Sequence, residues 1–414
     1  MTTVWDELAD RLHGLVEEAD GWLVAAPRDA VFVPPGGSLD PTFVATALAV
    51  PETSFVLWDA ANVRRHVGFV QRALAEHGIG LAVGLKACAN RTVLSILAGM
   101  GLLADAQSPG EVALARSVGF DTVTATGPAF RPPDLDRLLR DGVLLDVQSP
   151  LQFAQLEERG TVEPVGFRAR VRLPERLRHP STFDVVSRFG IELNRNGLER
   201  IARSPLTLER IRVHTGEALS ADVARSLEYR ARLGVLLASA FPEVREVNLG
   251  GGFLALSRNP SALPEAFKRV GEVFDEAAGT LGRRLRCWVE PGSALLLDSA
   301  YLVTEVLDVD PARHAVTVAA SPWNVAPWTF ATVHVLDGGE PWEFVGDVYG
   351  PALYENDRLR RTERHRPTGR LPRVGDRLAV SSFGSYTLVH GRTFGQIPLP
   401  QQYIFDANGW QGAP

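Results

Sequence analysis

The chain has 414 residues, 45% hydrophobic and 22% charged, which is the composition of an ordinary globular protein. Its 43 basic and 49 acidic residues leave a formal net charge of −6, which argues against a general nucleic-acid role. No run of about 18 apolar residues occurs, and two cysteines are too few for a disulfide framework. The N-terminus reads as an acidic amphipathic helix without the features of a signal peptide, so we expect a soluble cytoplasmic protein.

Short apolar stretches rich in β-forming residues alternate with longer stretches of helical periodicity across the first two thirds of the chain. Strands that alternate with helices predict βαβ units and a parallel sheet. Nine candidate strands suit a (β/α)8 TIM barrel with one spare strand or one incorrect assignment. They lie at residues 55–60, 81–87, 103–107, 121–127, 142–148, 167–173, 210–216, 246–253 and 287–292.

The pattern changes after residue 300, where candidate strands are separated by turns rich in Pro, Gly and Asp and predict an antiparallel β domain. We therefore predict an α/β protein in which residues 51–298 form the barrel and residues 299–414 form the C-terminal β domain. Residues 1–50 do not fit the barrel rhythm and are expected to pack with the β domain. The Arg-rich stretch 358–373 reads as a solvated loop, with an anion or partner site as the alternative.

Residues with possible chemical roles follow several predicted strands, at the edge where catalytic groups of a parallel barrel gather. Taken singly, each has a commoner role as a surface charge, a packing residue, a turn or a helix cap. Lys86 is notable because Lys268 is the only other lysine among the 43 basic residues. The full set is Lys86, Asp105, His214, Gly250, Gly251, Gly252 and Glu290.

One cofactor, pyridoxal phosphate, accounts for this set. Its aldehyde needs a lysine amine, and its phosphate needs backbone N–H groups that glycines allow it to approach. Its pyridine nitrogen needs an acid that holds the proton, and its ring benefits from a flat side chain against one face. These four roles are filled in turn by Lys86, the three glycines, Glu290 and His214.

The order of the motifs resembles that of the fold-type III pyridoxal-phosphate decarboxylases, the group of ornithine, diaminopimelate and arginine decarboxylases. The resemblance extends from about residue 50 to residue 405. It implies an alanine racemase-like two-domain architecture and a homodimer whose active sites are shared across the interface. The motifs that carry it are GLKACAN, LLADAQSPGEVALARSVGF, SRFGI, VHTGEA, VNLGGGF, VEPGSA, GPALYEND and FGSYTL.

The resemblance also implies a role for each matching residue. Lys86 would form the aldimine, Glu290 would hold the pyridinium proton, and His214 would stack on the ring. Asp105 would orient Lys86 or its neighbours, and Tyr386 would join the three glycines at the phosphate. The implied activity is decarboxylation of a free amino acid through an aldimine and a quinonoid, and no metal, nucleic acid or membrane is expected to take part. Alanine racemases place an arginine at the pyridine nitrogen, so the acid disfavours racemisation.

Three positions depart from the family pattern and make the chain an atypical member. Leu353 stands where the family has a cysteine, donated across the dimer interface, that reprotonates the α-carbon, and leucine cannot donate a proton. Ser293 replaces an arginine that contacts the phosphate, and Glu217 replaces a nearby serine. A carboxylate there repels phosphate unless it turns away or pairs with an arginine. We therefore expect the cofactor to bind less tightly than in standard members.

The missing cysteine leaves alternatives open. Tyr354, a water or the freed Lys86 amine could return the proton, which keeps simple decarboxylation. Alternatively, the same fold and cofactor could serve carbon–carbon bond formation, oxidative deamination or α-proton chemistry, or the protein could bind the cofactor without turnover. Glu355 and Asp357 are candidates for binding a substrate amine. Trp323, with Trp328, could bind an apolar or aromatic substrate side chain or belong to the core of the β domain.

Overall fold

The structure is a computed structural model that describes residues 4–22, 39–178, 182, 187–218, 223–327, 331–360 and 369–413. The predictions for Trp328 and for residues 361–368 of the Arg-rich stretch lie outside the described residues. No helix of the described ranges is both long enough and apolar enough to cross a membrane.

The described residues form α-helices with the following bounds. They are α1 (Val4–Trp22), α2 (Pro41–Ala49), α3 (Ala60–Ala75), α4 (Arg91–Gly99), α5 (Pro109–Ser117), α6 (Pro132–Arg140), α7 (Pro150–Glu158), α8 (Arg195–Ala202), α9 (Val223–Ala240), α10 (Leu254–Ser257), α11 (Ala262–Leu281), α12 (Ser293–Leu296) and α13 (Pro322–Val325).

The strands alternate with these helices in the first part of the chain and follow one another in the last part. They are β1 (Ser54–Asp59), β2 (Ile79–Gly84), β3 (Leu103–Ala106), β4 (Val123–Ala125), β5 (Leu144–Val147), β6 (Val165–Arg170), β7 (Ile191–Glu192), β8 (Leu208–Val213), β9 (Glu246–Asn248), β10 (Arg286–Val289), β11 (Ala300–Asp310), β12 (Ala315–Val318), β13 (Val333–Leu336), β14 (Trp342–Glu343), β15 (Asp347–Tyr349), β16 (Arg358–Arg360), β17 (Arg377–Val380), β18 (Gln401–Asp406) and β19 (Gly409–Gly412).

Eight parallel strands close into a barrel in the order β2, β3, β4, β5, β6, β8, β9 and β10, and β10 pairs again with β2. The two-residue β7 pairs with β6 beside this ring. Both faces of these strands are covered, so they are largely apolar and buried, as a parallel sheet requires. The predicted (β/α)8 barrel with a separate, mostly antiparallel β domain is confirmed.

Ser-Pro pairs begin two of the barrel helices. Ser108 Oγ accepts the N–H of Glu111 at 3.2 Å at the start of α5, and Ser149 Oγ accepts the N–H of Gln152 at 3.2 Å at the start of α7. The proline that follows each serine fits the first helical turn, where its missing N–H costs nothing. These caps start each helix within a few residues of the end of β3 or β5 and hold the strand ends in place.

The chain divides into two compact units. The barrel unit comprises α1 together with residues 68–85 and 97–294, and the β unit comprises α2, β1, residues 86–96 and the chain from residue 295 onward. The main sheet of the β unit has the order β14-β13-β17-β11-β1-β18-β19, and β12, β15 and β16 extend it from β11. Phe43 of α2, Phe55, Val303 and Phe405 lie in the core of this unit.

Two placements differ from the predicted domain boundaries. β1 lies in the sheet of the β unit, antiparallel to β11 and parallel to β18, so it is the spare ninth strand. Its residues are as buried as those of a barrel strand, and the sequence therefore cannot distinguish the two positions. In the barrel unit, α1 packs against α8 and α9: Trp5 stacks on Phe241 at 5.7 Å, and Asp6 lies 3.4 Å from Arg195.

The contact between Gly80 of β2 and Trp288 of β10 provides a test of the barrel closure. A Cβ on Gly80 would lie 1.9 Å from the Trp288 ring, so Gly80→Ala is expected to lower the free energy of unfolding by about 1–3 kcal/mol. The control is Gly279→Ala in α11, where a Cβ meets nothing within 4 Å and the helix gains about 0.5–1 kcal/mol. Urea denaturation followed by circular dichroism measures both, and equal midpoints for the two variants would contradict this packing.

Candidate active site

The predicted site residues of the barrel unit lie at the carboxyl ends of its strands. Asp105 is in β3, His214 follows β8 directly, and Glu290 follows β10 directly. Gly250–Gly252 form the turn after β9. Because the strands of a closed parallel barrel end on one face, these residues share the rim where active sites of this architecture are built.

A buried arginine that the sequence analysis did not single out links this rim. Arg212 of β8 is almost inaccessible, and its three guanidinium nitrogens contact three different carboxylates. Nη2 lies 2.7 Å from Asp105, Nε lies 2.8 Å from Asp146 of β5, and Nη1 lies 2.7 Å from Glu290. Burial acts to lower the pKa of Arg212, but the three carboxylates raise it well above its usual value. The guanidinium is therefore a permanent cation that joins four strands.

Two more arginines lie in the same part of the barrel. Arg210 Nε donates to Asp146 Oδ1 at 3.0 Å, so Asp146 has a cation on each carboxylate oxygen. Arg168 of β6 is buried, and its guanidinium lies 4.9 Å from the centre of the Phe189 ring. Burial, and then the charge of Arg212, lower the pKa of Arg168 to about 10. The buried acids are thus matched by a similar number of buried cations, as burial of charge requires.

Glu290 is held from a second side by Asn248 at the end of β9. The Asn248 amide donates to Glu290 Oε2 at 2.7 Å, and its carbonyl oxygen accepts the N–H of Gly250 at 2.8 Å. One side chain therefore connects the acid to the first glycine of the loop. Together with Arg212, Asn248 fixes the Glu290 carboxylate in one orientation.

The glycine loop passes too close to its neighbours for any other residue. A Cβ on Gly250 would lie 2.3 Å from His214 Nδ1, and one on Gly252 would lie 1.8 Å from the carbonyl oxygen of Gly216. Both glycines also have positive φ angles, +71° and +82°, which favour glycine. His214 Nδ1 accepts the N–H of Gly251 at 3.2 Å, and this bond places the ring proton of neutral His214 on Nε2.

The loop retains donors for an anion. Within the described ranges, the N–H groups of Gly252 and Phe253 have no hydrogen-bond acceptor, although Phe253 is fully buried and Gly252 half-buried. Unpaired buried N–H groups are rare because each loses its bond to water. A phosphate oxygen would satisfy them, so this loop fits the phosphate of pyridoxal phosphate.

A second buried arginine supports the loop from its other side. Arg230 of α9 is fully buried, and its Nη1 donates to the carbonyl oxygens of Leu249 at 2.5 Å and Gly251 at 2.8 Å. These bonds turn the two carbonyls away from an anion on the loop. Burial lowers the pKa of Arg230 to about 10, so the side chain remains a cation at neutral pH.

Two residues of the barrel unit that differ from the family pattern, Ser293 and Glu217, have different surroundings. Ser293 is buried at the start of α12 and provides no cation. The carboxylate of Glu217 accepts the N–H of Leu254 at 2.9 Å, just after the glycine loop. Burial raises the pKa of Glu217 to about 7, while the Leu254 N–H, Arg230 and Arg258 act in the opposite direction.

Lys86 and Tyr386 lie close together within the β unit. Lys86 is half-buried in the 3-10 turn Leu85–Ala87 that follows β2, and the N–H of Tyr386 donates to the carbonyl oxygen of Ala87 at 2.8 Å. Tyr386 has a positive φ of 56°, an uncommon backbone conformation for a large side chain. Such a conformation is typical of a position that the surrounding structure enforces.

Residues 350–357 form a loop of the β unit in which the predicted residues have unequal exposure. Leu353 is fully exposed, and Tyr354 and Glu355 are also exposed. Asp357 is buried instead: its carboxylate accepts the Ser321 hydroxyl at 2.6 Å and the N–H of Ala352 at 2.7 Å. That Asp357 binds a substrate amine stays a prediction, and both of its carboxylate oxygens already accept hydrogen bonds that hold the loop together.

Trp323 packs in an aromatic cluster with Tyr354 and Phe394, at ring-centre distances of 5.5 and 5.6 Å. Its buried Nε1 has no acceptor within the described residues.

Both cysteines are buried, and burial raises the pKa of Cys88 to about 12 and that of Cys287 higher still. Neither thiol is therefore exposed to solvent, whereas a proton donor at position 353 would be.

Four residues of this part of the barrel were not predicted from the sequence: Arg212, Asp146, Asn248 and Arg230. One signal was available, because Arg210 and Arg212 stand two residues apart in β8, on either side of Ile211, and so point to the same face of the strand. Charged side chains on a buried strand need partners of opposite charge.

Comparison with known proteins points to one family. The family model described as pyridoxal-dependent decarboxylase, pyridoxal binding domain, matches residues 60–296. A diaminopimelate decarboxylase of Deinococcus radiodurans is 26% identical over 380 residues, which cover 87% of this chain and 92% of that protein. The L-glutamyl-(BtrI acyl-carrier protein) decarboxylase of Niallia circulans is 27% identical over 274 residues, covering 62% of this chain and 63% of that protein.

A solved structure has the same fold. The diaminopimelate decarboxylase of Helicobacter pylori, complexed with L-lysine, superposes with a TM-score of 0.76 and 20% sequence identity. The superposition covers 88% of this chain and 94% of that one. The barrel and the additional sheet therefore have a known counterpart.

The Arg212 cluster predicts a large effect on stability. Arg212→Met removes the shared cation and leaves buried carboxylates uncompensated, so the free energy of unfolding is expected to fall by about 3–5 kcal/mol. In the control, Arg284→Met removes an exposed pair with Asp275 and is expected to cost about 0–1 kcal/mol. Thermal and urea unfolding of both variants provide the measurement, and a small loss for Arg212→Met would be inconsistent with the cluster.

Proposed function

The chain belongs to the pyridoxal-dependent decarboxylases, and from this premise we propose that it removes the α-carboxylate of an amino acid with pyridoxal phosphate as its cofactor. The observation that carries the proposal is the Glu290 carboxylate, oriented at the barrel rim by Arg212 at 2.7 Å and Asn248 at 2.7 Å. A fixed anion is suited to hold a proton on the pyridine nitrogen. When bound, the cofactor withdraws electrons from the substrate's α-carbon so that carbon dioxide can leave.

The other residues have supporting roles in this proposal. Lys86 attaches the cofactor, and an arginine at its position could not, because a guanidinium does not give up its proton. His214 would lie against the ring, and it is oriented by the Gly251 N–H at 3.2 Å. Asp105 acts through Arg212, at 2.7 Å, and thereby helps to position Glu290.

The phosphate would be held by the loop Gly250, Gly251 and Gly252, with the N–H groups of Gly252 and Phe253 as its donors. Tyr386 would add its hydroxyl from the β unit, next to the segment that carries Lys86. Support for this arrangement comes from the lack of space for any Cβ in the loop. The serine at position 293 and the acid at position 217 weaken it.

We further propose a homodimer in which residues 350–357 enter the site of the second copy. Supporting this, Leu353 is fully exposed, and the next residue, Tyr354, and Phe394, whose ring lies 6.3 Å from that of Tyr354, are also exposed. An apolar group of this kind on a surface marks an interaction site. In the dimer, Tyr354 is the candidate acid that returns a proton to the α-carbon in place of the missing cysteine.

The relatives suggest the class of substrate. Two of them act, by name, on diaminopimelate and on a glutamyl group carried by a protein. For this chain we propose an amino acid with a second amine, for which exposed Glu355 supplies the carboxylate. The unpaired Nε1 of Trp323 is a further candidate contact for a polar substrate atom.

Attachment of the cofactor can be tested with the two lysines of the chain. Borohydride reduction of the yellow holoprotein should fix the cofactor on Lys86, and Lys86→Ala should abolish both the label and carbon dioxide release. Lys268→Ala is the matched control and should retain both. Mass spectrometry locates the label, and carbon dioxide release is measured over a panel of amino acids. Exchange of the substrate's α-proton without carbon dioxide would contradict decarboxylation and favour α-proton chemistry.

The proton donor can be tested at the exposed loop. Leu353→Cys is expected to raise the rate of amine formation, because a thiol would stand where the family has its donor. Tyr354→Phe is expected to lower that rate by about 10²–10⁴-fold if the phenol returns the proton. The ratio of amine to carbonyl product, measured by mass detection, distinguishes protonation from oxidative deamination. An unchanged product ratio and rate in both variants would remove this loop from the reaction.

A further inference from the structure

We propose that Glu217 makes cofactor retention depend on pH, because its carboxylate must take up a proton when the cofactor's phosphate settles on the glycine loop. The inference rests on the proposed function, since it takes this loop as the phosphate site. Glu217 then acts as a positioning residue that sets how tightly the cofactor is held. It has no direct role in the bond that breaks.

The first support is geometric. The chain at Gly216 and Glu217 runs directly against Gly252, because a Cβ on Gly252 would lie 1.8 Å from Gly216 O and 3.2 Å from Glu217 Cα. The N–H of Ala218 donates to the carbonyl oxygen of Gly252 at 3.3 Å, which keeps the two segments together. Glu217 Oε1 accepts the N–H of Leu254 at 2.9 Å. A carboxylate thus lies beside the only stretch of the loop whose N–H groups lack acceptors within the described residues.

The second support is the balance of charge around Glu217. Two cations act on it: Arg230 from α9, which also holds the loop carbonyls, and Arg258 from the end of α10. Among the described residues, titratable groups at the loop also include His214, which accepts the Gly251 N–H, and Glu290, whose backbone carbonyl oxygen would lie 2.9 Å from a Cβ on Gly251. Burial dominates and raises the pKa of Glu217 to about 7.

The phosphate adds about two negative charges beside this group at neutral pH. Like charges disfavour ionisation, so the bound phosphate raises the pKa of Glu217 further. Below pH 7, Glu217 is already neutral in the cofactor-free protein, and the phosphate binds without repulsion. Above pH 7, binding must bring a proton with it. Affinity therefore falls by up to tenfold per pH unit, until the pH reaches the pKa of Glu217 in the loaded protein.

The test compares cofactor dissociation constants of the wild type and Glu217→Gln between pH 6 and pH 8.5. Absorbance of the cofactor bound at Lys86 reports binding without any reliance on turnover. Glutamine keeps the oxygen that accepts the Leu254 N–H and loses only the charge. The ratio of the two constants cancels the pH dependence of Lys86 and of the cofactor itself. It is expected to be near one at pH 6 and about tenfold in favour of Glu217→Gln at pH 8.

Two controls separate the phosphate from other effects. Pyridoxal, which lacks the phosphate, should bind to wild type and Glu217→Gln with a ratio that does not change with pH. Glu246→Gln neutralises another buried carboxylate, at the start of β9, and should retain the wild-type pH dependence for pyridoxal phosphate. Thermal melting of each cofactor-free variant confirms that it is folded.

The outcomes distinguish this inference from the function on which it rests. A ratio that is the same at every pH, with pyridoxal phosphate bound and trapped at Lys86, overturns the role of Glu217 and leaves the proposed function standing. Failure of the wild type to bind pyridoxal phosphate at any pH overturns both. A pH-dependent ratio that appears equally with pyridoxal also contradicts the inference, because it does not need the phosphate.

Discussion

The barrel rim depends on one buried guanidinium that is shared among three carboxylates. Arg212 comes from β8, and its partners come from β3, β5 and the end of β10, so a single side chain connects strands around the barrel interior. Removing four charged groups from water is costly unless each finds a partner, and this geometry provides one for each. The Glu290 carboxylate at the rim is therefore paired with a cation inside the protein interior.

Glu290 and the glycine loop are coupled by a second, uncharged connection. Asn248 donates to Glu290 and accepts from Gly250, while Arg230 holds the loop carbonyls from the opposite side. The two ends of a bound cofactor would therefore be positioned by one continuous set of hydrogen bonds. The departures at positions 217 and 293 fall at the proposed phosphate end of this set, and Glu290, at the other end, is held by both Arg212 and Asn248.

Much of the architecture follows from the sequence, because alternating strands and helices have few other solutions. The ninth candidate strand could not be assigned, since β1 is buried on both faces in the β sheet as it would be in the barrel. Asp357 illustrates a second limit: a motif places a carboxylate near a site, but only the fold shows that Ser321 and Ala352 occupy its oxygens. Arg212 was missed for a related reason, because its partners lie 107, 66 and 78 residues away in the chain.

The position of β1 also constrains how the protein can be made. In the sheet, Trp58 donates to Gln402 across 344 residues of sequence, and β1 lies between strands that are synthesised much later. Until β18 has been synthesised, residues 54–59 remain an apolar segment with at least one unpaired edge, which is exposed to mispairing with other chains. The β unit is thus completed only after β18 has been synthesised, and contacts between residues so far apart in the sequence form slowly.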